Sequence, residues 1–228
     1  MLNYFLFSVF PYVALTSFFV VSLTRYFTNS YKFSSLSSNF LESSDLFWGS
    51  QAWHWGILVI LSAHLLGFMF PRELIAFNGL PVRTLILEAG LLVFGLLSLV
   101  GIILLIRRRL LHDRIRVVTS TGDVLVLLLL LLQVATGVFT ALNYRWGSMW
   151  YATGMVPYLR SVFWLKPDPT FVSSLPWAVK THVVSAFLLV AILPFTRLVH
   201  FLVMPISYIW RPWQKVIWYW DRKKRNYS

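Results

Sequence analysis

Four of the five histidines in this sequence form two pairs with regular spacing. His54 and His64 lie ten positions apart, and His182 and His200 lie eighteen positions apart. At 3.6 residues per turn, eighteen residues are about five turns, so His182 and His200 share one face of a regular helix. Ten residues are close to three turns, which keeps His54 and His64 within about a quarter-turn of each other. Imidazole is a common metal ligand, so both pairs are candidate metal ligands.

The stretch that carries the first pair is apolar enough to lie in a bilayer. No Asp, Glu, Lys or Arg occurs from Leu46 to Pro71. An ionisable side chain in hydrocarbon is costly and usually functional. The whole chain of 228 residues is 58% hydrophobic and only 12% charged, about half the charge of a typical soluble domain, which indicates a membrane protein. The absence of cysteine excludes disulfides, thiolate metal sites and Cys-ligated iron–sulfur clusters.

Windows of about 20 apolar residues predict an all-α membrane protein, a five-transmembrane-helix bundle in a single domain, residues 1–228. The expected spans are residues 4–23, 50–70, 85–106, 124–141 and 180–206. No cleavable signal peptide is expected, because no basic segment precedes the first apolar stretch. The longest connector, residues 143–179, is rich in Trp, Tyr and Pro and is expected to be an interfacial loop with a short helix lying on the membrane.

The positions of the basic residues predict the topology. With the N-terminus outside and the C-terminus in the cytoplasm, thirteen Lys and Arg fall inside and six fall outside, as the positive-inside rule favours. The segment RRRLLHDRIR, residues 107–116, is interpreted mainly as an anchor for anionic headgroups, and a partner could share its surface. His112 in this segment is interpreted as solvated. The net charge of +12 therefore does not indicate nucleic-acid binding.

This topology predicts how the histidines meet. The second and fifth spans run antiparallel, which brings His54 opposite His200 and His64 opposite His182. Two facing imidazoles supply both axial ligands of a six-coordinate b-type haem. The spacings correspond to about 15 Å and about 27 Å of helix, so tilted haems, a tilted fifth span or a bend at Pro194 would be needed.

Two other roles for membrane histidines are open at this point. A single imidazole commonly bonds a neighbouring backbone carbonyl, but this is a poor explanation for two pairs at matched depths. Zinc would need further ligands, and no carboxylate or cysteine lies near enough in the sequence.

The chain also resembles a known family over nearly its whole length. The segments that carry the resemblance are FPYVA, HWGILVILSAHLLGFMFP, RRRLLHDRIRVVTSTGDVLVLLLLLLQ and LPFTRLVHFLVMPISYI. Together with the histidine spacings of 10 and 18 and five spans, they resemble the gamma subunit, a dihaem cytochrome b, of membrane-bound respiratory nitrate reductase.

The resemblance implies an outer haem b held by His64 and His182 and an inner haem b held by His54 and His200. It implies quinol oxidation near the outer haem, with protons released outside. Electrons would then pass to an iron–sulfur beta subunit and a molybdenum-containing alpha subunit that reduces nitrate in the cytoplasm. The expected location is a prokaryotic cytoplasmic membrane, with the chain crossing it several times.

Three charged residues are further candidates. Arg83 stands where the family has a quinol-site lysine, although guanidinium differs from ammonium in its hydrogen bonding. Glu88, the only carboxylate in the third span, is expected either to pair with Arg83 or Arg72 or to accept a proton from quinol. Arg197 precedes His200 by three residues and is expected to contact a haem propionate or a partner.

The sequence is also compatible with two alternative functions. The chain could be the equivalent dihaem subunit of another quinone-linked complex, such as a sulfur-pathway heterodisulfide-reductase-like complex. It could also be a non-redox anchor or transporter that uses the histidines as structural or proton-relay groups. The second alternative is less favoured because the first and fourth spans offer almost no ionisable partners for a relay.

Overall fold

A computed structural model describes residues 1–28, 44–196 and 198. These residues form helices and connecting turns, and no strand occurs among them. Five helices are long and apolar enough to cross a membrane, which confirms the predicted all-helical fold with five spans. The helices are α1 (Leu2–Thr28), α2 (Ser44–Met69), α3 (Pro71–Phe77), α4 (Pro81–Leu111), α5 (Asp113–Val117), α6 (Thr121–Asn143), α7 (Gly147–Trp150), α8 (Val156–Phe163), α9 (Thr170–Ser173) and α10 (Trp177–Ile192).

The spanning helices α1, α2, α4, α6 and α10 mostly extend past the predicted apolar windows. Helix α4 begins with Pro81 at its first turn and continues through the basic residues to Leu111, where His112 takes an extended conformation. The turn to α6 is closed by a reciprocal cap: the Asp123 N–H donates to Ser120 Oγ, and the Ser120 N–H donates to Asp123 Oδ2. His112 is half-buried at this break.

The fifth span departs from the predicted helix of residues 180–206. Its α-helix ends at Ile192 and a 3₁₀ turn follows at Leu193–Phe195, because Pro194 cannot continue the helical hydrogen bonding. The prediction of one regular helix from His182 to His200 is therefore wrong, and the break occurs at the proline where a bend was one of the expected solutions. Both His200 and Arg197 lie outside the described residues.

Helix α1 holds the end of the fifth span in place. The Ser17 hydroxyl donates to the Ala191 carbonyl 3.0 Å away, and the Arg25 guanidinium donates to the Pro194 carbonyl. The regular helical hydrogen bonding ends here, and side chains of a neighbouring helix supply partners for two of the carbonyls at this end.

The spans pack as a series of neighbours. Helix α2 lies along α4, α4 contacts α6, α6 contacts α10, and α10 contacts α1. Helices α2 and α10, which carry His64 and His182, are not among the extensively packed pairs. Among the described residues, α4 and α6 therefore connect these two helices in the series of neighbours, and close backbone packing between α2 and α10 is limited.

The connector between α6 and α10 is more deeply packed than an interfacial loop. Tyr158 is fully buried, its ring packs edge-on against Phe7, and its hydroxyl donates to the Phe7 carbonyl 3.0 Å away. The Tyr12 hydroxyl donates to the Val162 carbonyl at the same distance. The connector therefore lies at the same end of the bundle as the N-terminus of α1 and forms part of the hydrophobic core there.

Two glycines allow α2 and α4 to approach closely. A Cβ added to Gly101 would lie 2.7 Å from the Trp53 Cα, and a Cβ added to Gly56 would lie 2.6 Å from the Ser98 backbone nitrogen. Trp53 is buried in this contact. Gly90, on the same helix as Gly101, has open space around it. Of these α4 glycines, only Gly101 is therefore required for the packing of the two helices.

Replacing Gly101 with Ala is expected to destabilise the bundle by about 1–3 kcal/mol, because the added methyl group would overlap the Trp53 backbone. Thermal unfolding of the purified protein in detergent measures the effect. The control is Gly90→Ala, which adds the same group to open space and is expected to unfold at or slightly above the wild-type temperature. Equal unfolding temperatures for the two variants would contradict the close α2–α4 contact.

Candidate functional site

His64 of α2 and His182 of α10 lie opposite each other near the connector end of the bundle. Their ring centroids are 6.5 Å apart and the ring planes differ by 30°. A metal–imidazole bond is about 2.0 Å long, so two imidazoles that bind one metal from opposite sides have centroids about 6 Å apart. The observed separation is therefore compatible with a shared metal atom.

One restraint on the His64 ring comes from its own helix. The Nδ1 atom lies 2.8 Å from the Ile60 carbonyl oxygen, one turn earlier. A carbonyl only accepts, so Nδ1 carries the proton and Nε2 keeps its lone pair. This is the tautomer in which Nε2 serves as a metal ligand and the other nitrogen is held by a hydrogen bond. The His64 side chain is exposed on the α2 surface.

His54 repeats this arrangement ten residues earlier. Its Nδ1 lies 2.7 Å from the Ser50 carbonyl oxygen and 3.1 Å from the Ser50 hydroxyl. Nε2 therefore again keeps the lone pair, and the side chain is exposed on the same helix. The predicted partners of this site, His200 and Arg197, lie outside the described residues, so the structure brings together one of the two predicted histidine pairs.

His182 is held by a neighbouring helix. Its Nδ1 donates to the Gln133 carbonyl 2.9 Å away, and the Gln133 side-chain amide lies 3.0 Å from Nε2. The Ser185 hydroxyl donates to the other end of that amide, and the Thr136 hydroxyl lies 3.2 Å from Nδ1. The His182 Nε2 therefore carries a lone pair, which accepts a hydrogen bond from the Gln133 amide.

Close contact with α6 also depends on Gly137. A Cβ at this position would lie 3.0 Å from the His182 Cε1. The sequence prediction missed Gln133 and Gly137. A signal was present, because Gln133 directly follows a run of six leucines in the fourth span, and an amide in that setting requires a partner.

The connector completes the surroundings of His64. Tyr151 packs its ring edge-on against the imidazole, with centroids 5.4 Å apart, and its hydroxyl donates to the His64 carbonyl 2.8 Å away. Burial raises the pKa of Tyr151 to about 12, so this hydroxyl stays protonated and able to donate throughout the physiological range. Tyr151 was not predicted, because its contact with α2 depends on how the connector folds.

Glu88 and Arg83 do not form the expected ion pair. Glu88 Oε1 accepts from the Ser148 backbone N–H at 3.0 Å and from the Ser148 hydroxyl at 2.8 Å. The prediction that Glu88 pairs with Arg83 or Arg72 is wrong, because the start of α7 reaches the carboxylate instead. Arg83 is exposed, and its guanidinium lies over the Phe77 ring, 5.8 Å from the centroid.

His64 and His182 are a candidate site for a group held by two imidazoles. Within the described ranges, no cluster of three or more His, Asp or Glu side chains is placed to hold a metal ion. The His64–His182 pair, with its metal-binding tautomers, is compatible with the axial ligation of haem. The fold and this pair define a five-span membrane protein with opposed histidines between its helices.

Comparison with known proteins identifies the family. Residues 3–219 match the family described as nitrate reductase gamma subunit. The chain is 33% identical over 210 residues to the nitrate reductase gamma chain of Bacillus subtilis (strain 168), covering 90% of this chain and 94% of the relative. It is 29% identical over 226 residues to the respiratory nitrate reductase 1 gamma chain of Escherichia coli (strain K12), covering 94% and 97%. The chain therefore belongs to the nitrate reductase gamma subunit family.

Replacing Gln133 with Leu is expected to lower the free energy of unfolding of the metal-free protein by about 1–3 kcal/mol, because the His182 Nε2 and the Ser185 hydroxyl each lose a partner inside the bundle. Chemical or thermal unfolding in detergent measures the loss. Gln51→Leu is the matched control, since Gln51 is exposed on α2. A stability loss no larger than that of the control would show that Gln133 does not support His182.

Proposed function

We propose that this chain is the membrane-anchoring cytochrome b subunit of a quinol-oxidising nitrate reductase. In this proposal His64 and His182 hold an outer haem b, and His54 and His200 hold an inner haem b. The observation that carries the proposal is the opposed His64–His182 pair, 6.5 Å apart, on helices that are not otherwise extensively packed together. Membership of the nitrate reductase gamma subunit family supports the same function.

A bound haem b supplies one-electron oxidation and reduction at its iron. The four histidines would hold the two haems, each through two imidazole nitrogens. The Nδ1–H bonds of His54 and His64 to carbonyls one turn earlier restrain the rings and leave the lone pair on Nε2 in each, the nitrogen that would bind the iron. His182 can bind through Nε2 once the Gln133 amide turns away, while its Nδ1 bond to the Gln133 carbonyl remains.

The proposed site of quinol oxidation is the connector end of the bundle, near His64. Arg83 is the proposed cation for the quinol oxygens, and its exposure at the start of α4 suits a contact with a lipid-soluble substrate. Glu88 is the proposed acceptor of a quinol proton, which it would pass outward. Its carboxylate has one oxygen bonded to Ser148, so the other oxygen is available for this role.

The proposed orientation has the N-terminus and connector outside and the basic α4–α5 turn in the cytoplasm. The excess of Lys and Arg on the cytoplasmic side supports this orientation. The proposed partners are an iron–sulfur beta subunit and a molybdenum-containing alpha subunit that reduces nitrate, both on the cytoplasmic side of a prokaryotic cytoplasmic membrane. Arg197 remains the proposed contact for an inner haem propionate or for a partner.

Replacing His64 or His54 with Ala is expected to remove about one haem b per chain in each case, because one axial ligand is lost. Pyridine-haemochrome quantitation on the purified complex, alongside reduced-minus-oxidised spectra, measures the loss. His112→Ala is the control, since His112 lies at the α4–α5 break outside the spans, and both haems are expected to stay. Full haem content in the His64 variant would refute the proposed ligation.

Replacing Glu88 with Gln is expected to slow quinol oxidation at least tenfold while both haem spectra stay unchanged. The amide oxygen can still accept from Ser148, but the side chain can no longer take up a proton. Stopped-flow reduction of the haems by a quinol analogue measures the rate. A wild-type rate in the Gln variant would exclude Glu88 as the proton acceptor.

A further inference from the structure

Tyr151, near the start of the connector, contacts His64, a candidate axial ligand on α2. Tyr151 meets His64 twice, through the edge-on ring contact and through the hydroxyl bond to the His64 carbonyl. It also lies against Gly67 on the same helix, where a Cβ would come within 3.0 Å of the Tyr151 Cε1. The tyrosine ring is therefore held over the α2 surface that carries His64.

A second set of contacts holds Tyr151 itself. The segment before it begins at Trp146, whose φ of 62° turns the chain sharply after α6. Ser148 then donates twice to Glu88 of α4, and its hydroxyl accepts from the Asn78 side chain 2.9 Å away. Glu88 and Asn78 belong to different parts of the α2–α4 hairpin, so Ser148 connects the connector to that hairpin. Three residues later the chain reaches Tyr151.

Two contacts restrain the plane of the His64 imidazole. The intrahelical Nδ1 bond restrains the imidazole at one edge, but limited rotation about the Cβ–Cγ bond is still possible. The edge-on Tyr151 ring, with planes at 79°, blocks this rotation on one side. His182 is restrained separately by Gln133 and Thr136 of α6. The angle of 30° between the two imidazole planes thus depends on Tyr151 on one side and on α6 on the other.

We propose that Tyr151 is a positioning residue for His64, and that the Ser148 contacts with Glu88 and Asn78 hold Tyr151 in place. This inference rests on the proposed function, because its consequence concerns the outer haem. The spectroscopic g-values of a low-spin ferric haem depend on the angle between its axial imidazole planes, and groups around a ligand tune the metal. Loosening Tyr151 therefore changes the outer haem while leaving the inner haem as it was.

The experiment uses the assembled complex in membranes. Electron paramagnetic resonance spectra and redox titrations are compared for wild type, Tyr151→Leu, Tyr151→Phe and Ser148→Ala. The matched control is Phe163→Leu, which removes an exposed aromatic ring from the same connector; that ring contacts Phe68, one turn beyond His64. The inner haem signal serves as an internal reference in every sample.

Tyr151→Leu is expected to move or broaden the outer haem signal and to shift its midpoint potential, with the inner signal unchanged. Ser148→Ala is expected to change the outer signal in the same direction by a smaller amount. Tyr151→Phe keeps the ring and Phe163→Leu keeps every contact of His64, so both are expected to retain the wild-type line position. Loss of the outer haem alone from Tyr151→Leu would also support the inference.

An unchanged outer signal in Tyr151→Leu would overturn the positioning role. If that variant does not assemble, Ser148→Ala decides, and an unchanged outer signal there overturns the inference. A change of equal size in Phe163→Leu would overturn it as well, since that ring does not touch His64. A wild-type complex without haem b would instead refute the proposed function, so the two failures are distinguishable.

Discussion

The structure depends on one constraint, which is that a polar group inside a bilayer must find its partner within the protein. Each unpartnered imidazole N–H would cost on the order of 1–3 kcal/mol, and more in hydrocarbon. His54 and His64 meet this requirement locally by donating to the carbonyl one turn earlier. The local bond also fixes the tautomer, so satisfying the constraint leaves Nε2 as the group that faces away from the helix. The same Nδ1–H bond therefore satisfies the imidazole in the bilayer and selects the tautomer that can bind a metal.

His182 meets the same constraint in a different way. Its partners are on α6 rather than on its own helix, which places a glutamine, a threonine and a glycine of the fourth span at the site. The fourth span thus contributes to a site whose ligands lie on the second and fifth spans. The connector contributes in turn through Tyr151, so the site draws on four separate segments of the chain.

Much of this arrangement was predictable from the sequence. Hydropathy predicts five spans because a bilayer imposes a minimum apolar length, and the topology puts His64 level with His182. Proline geometry explains why the regular helix ends near Pro194. The predicted fifth span, residues 180–206, nevertheless continued beyond this proline. Which residues Gln133 and Tyr151 contact depends on how distant segments pack. The same is true of Glu88, which accepts from Ser148 and does not pair with an arginine. No periodicity or spacing in a single sequence contains that information.

The central claim is that the histidine pairs hold two b haems, and haem quantitation on the purified wild-type complex tests it most directly. The pyridine-haemochrome assay, with chain concentration from amino-acid analysis, should give about two haem b per gamma chain, and a redox titration should resolve two components. A folded complex that contains no haem b, or only one that titrates as a single component, would contradict the account.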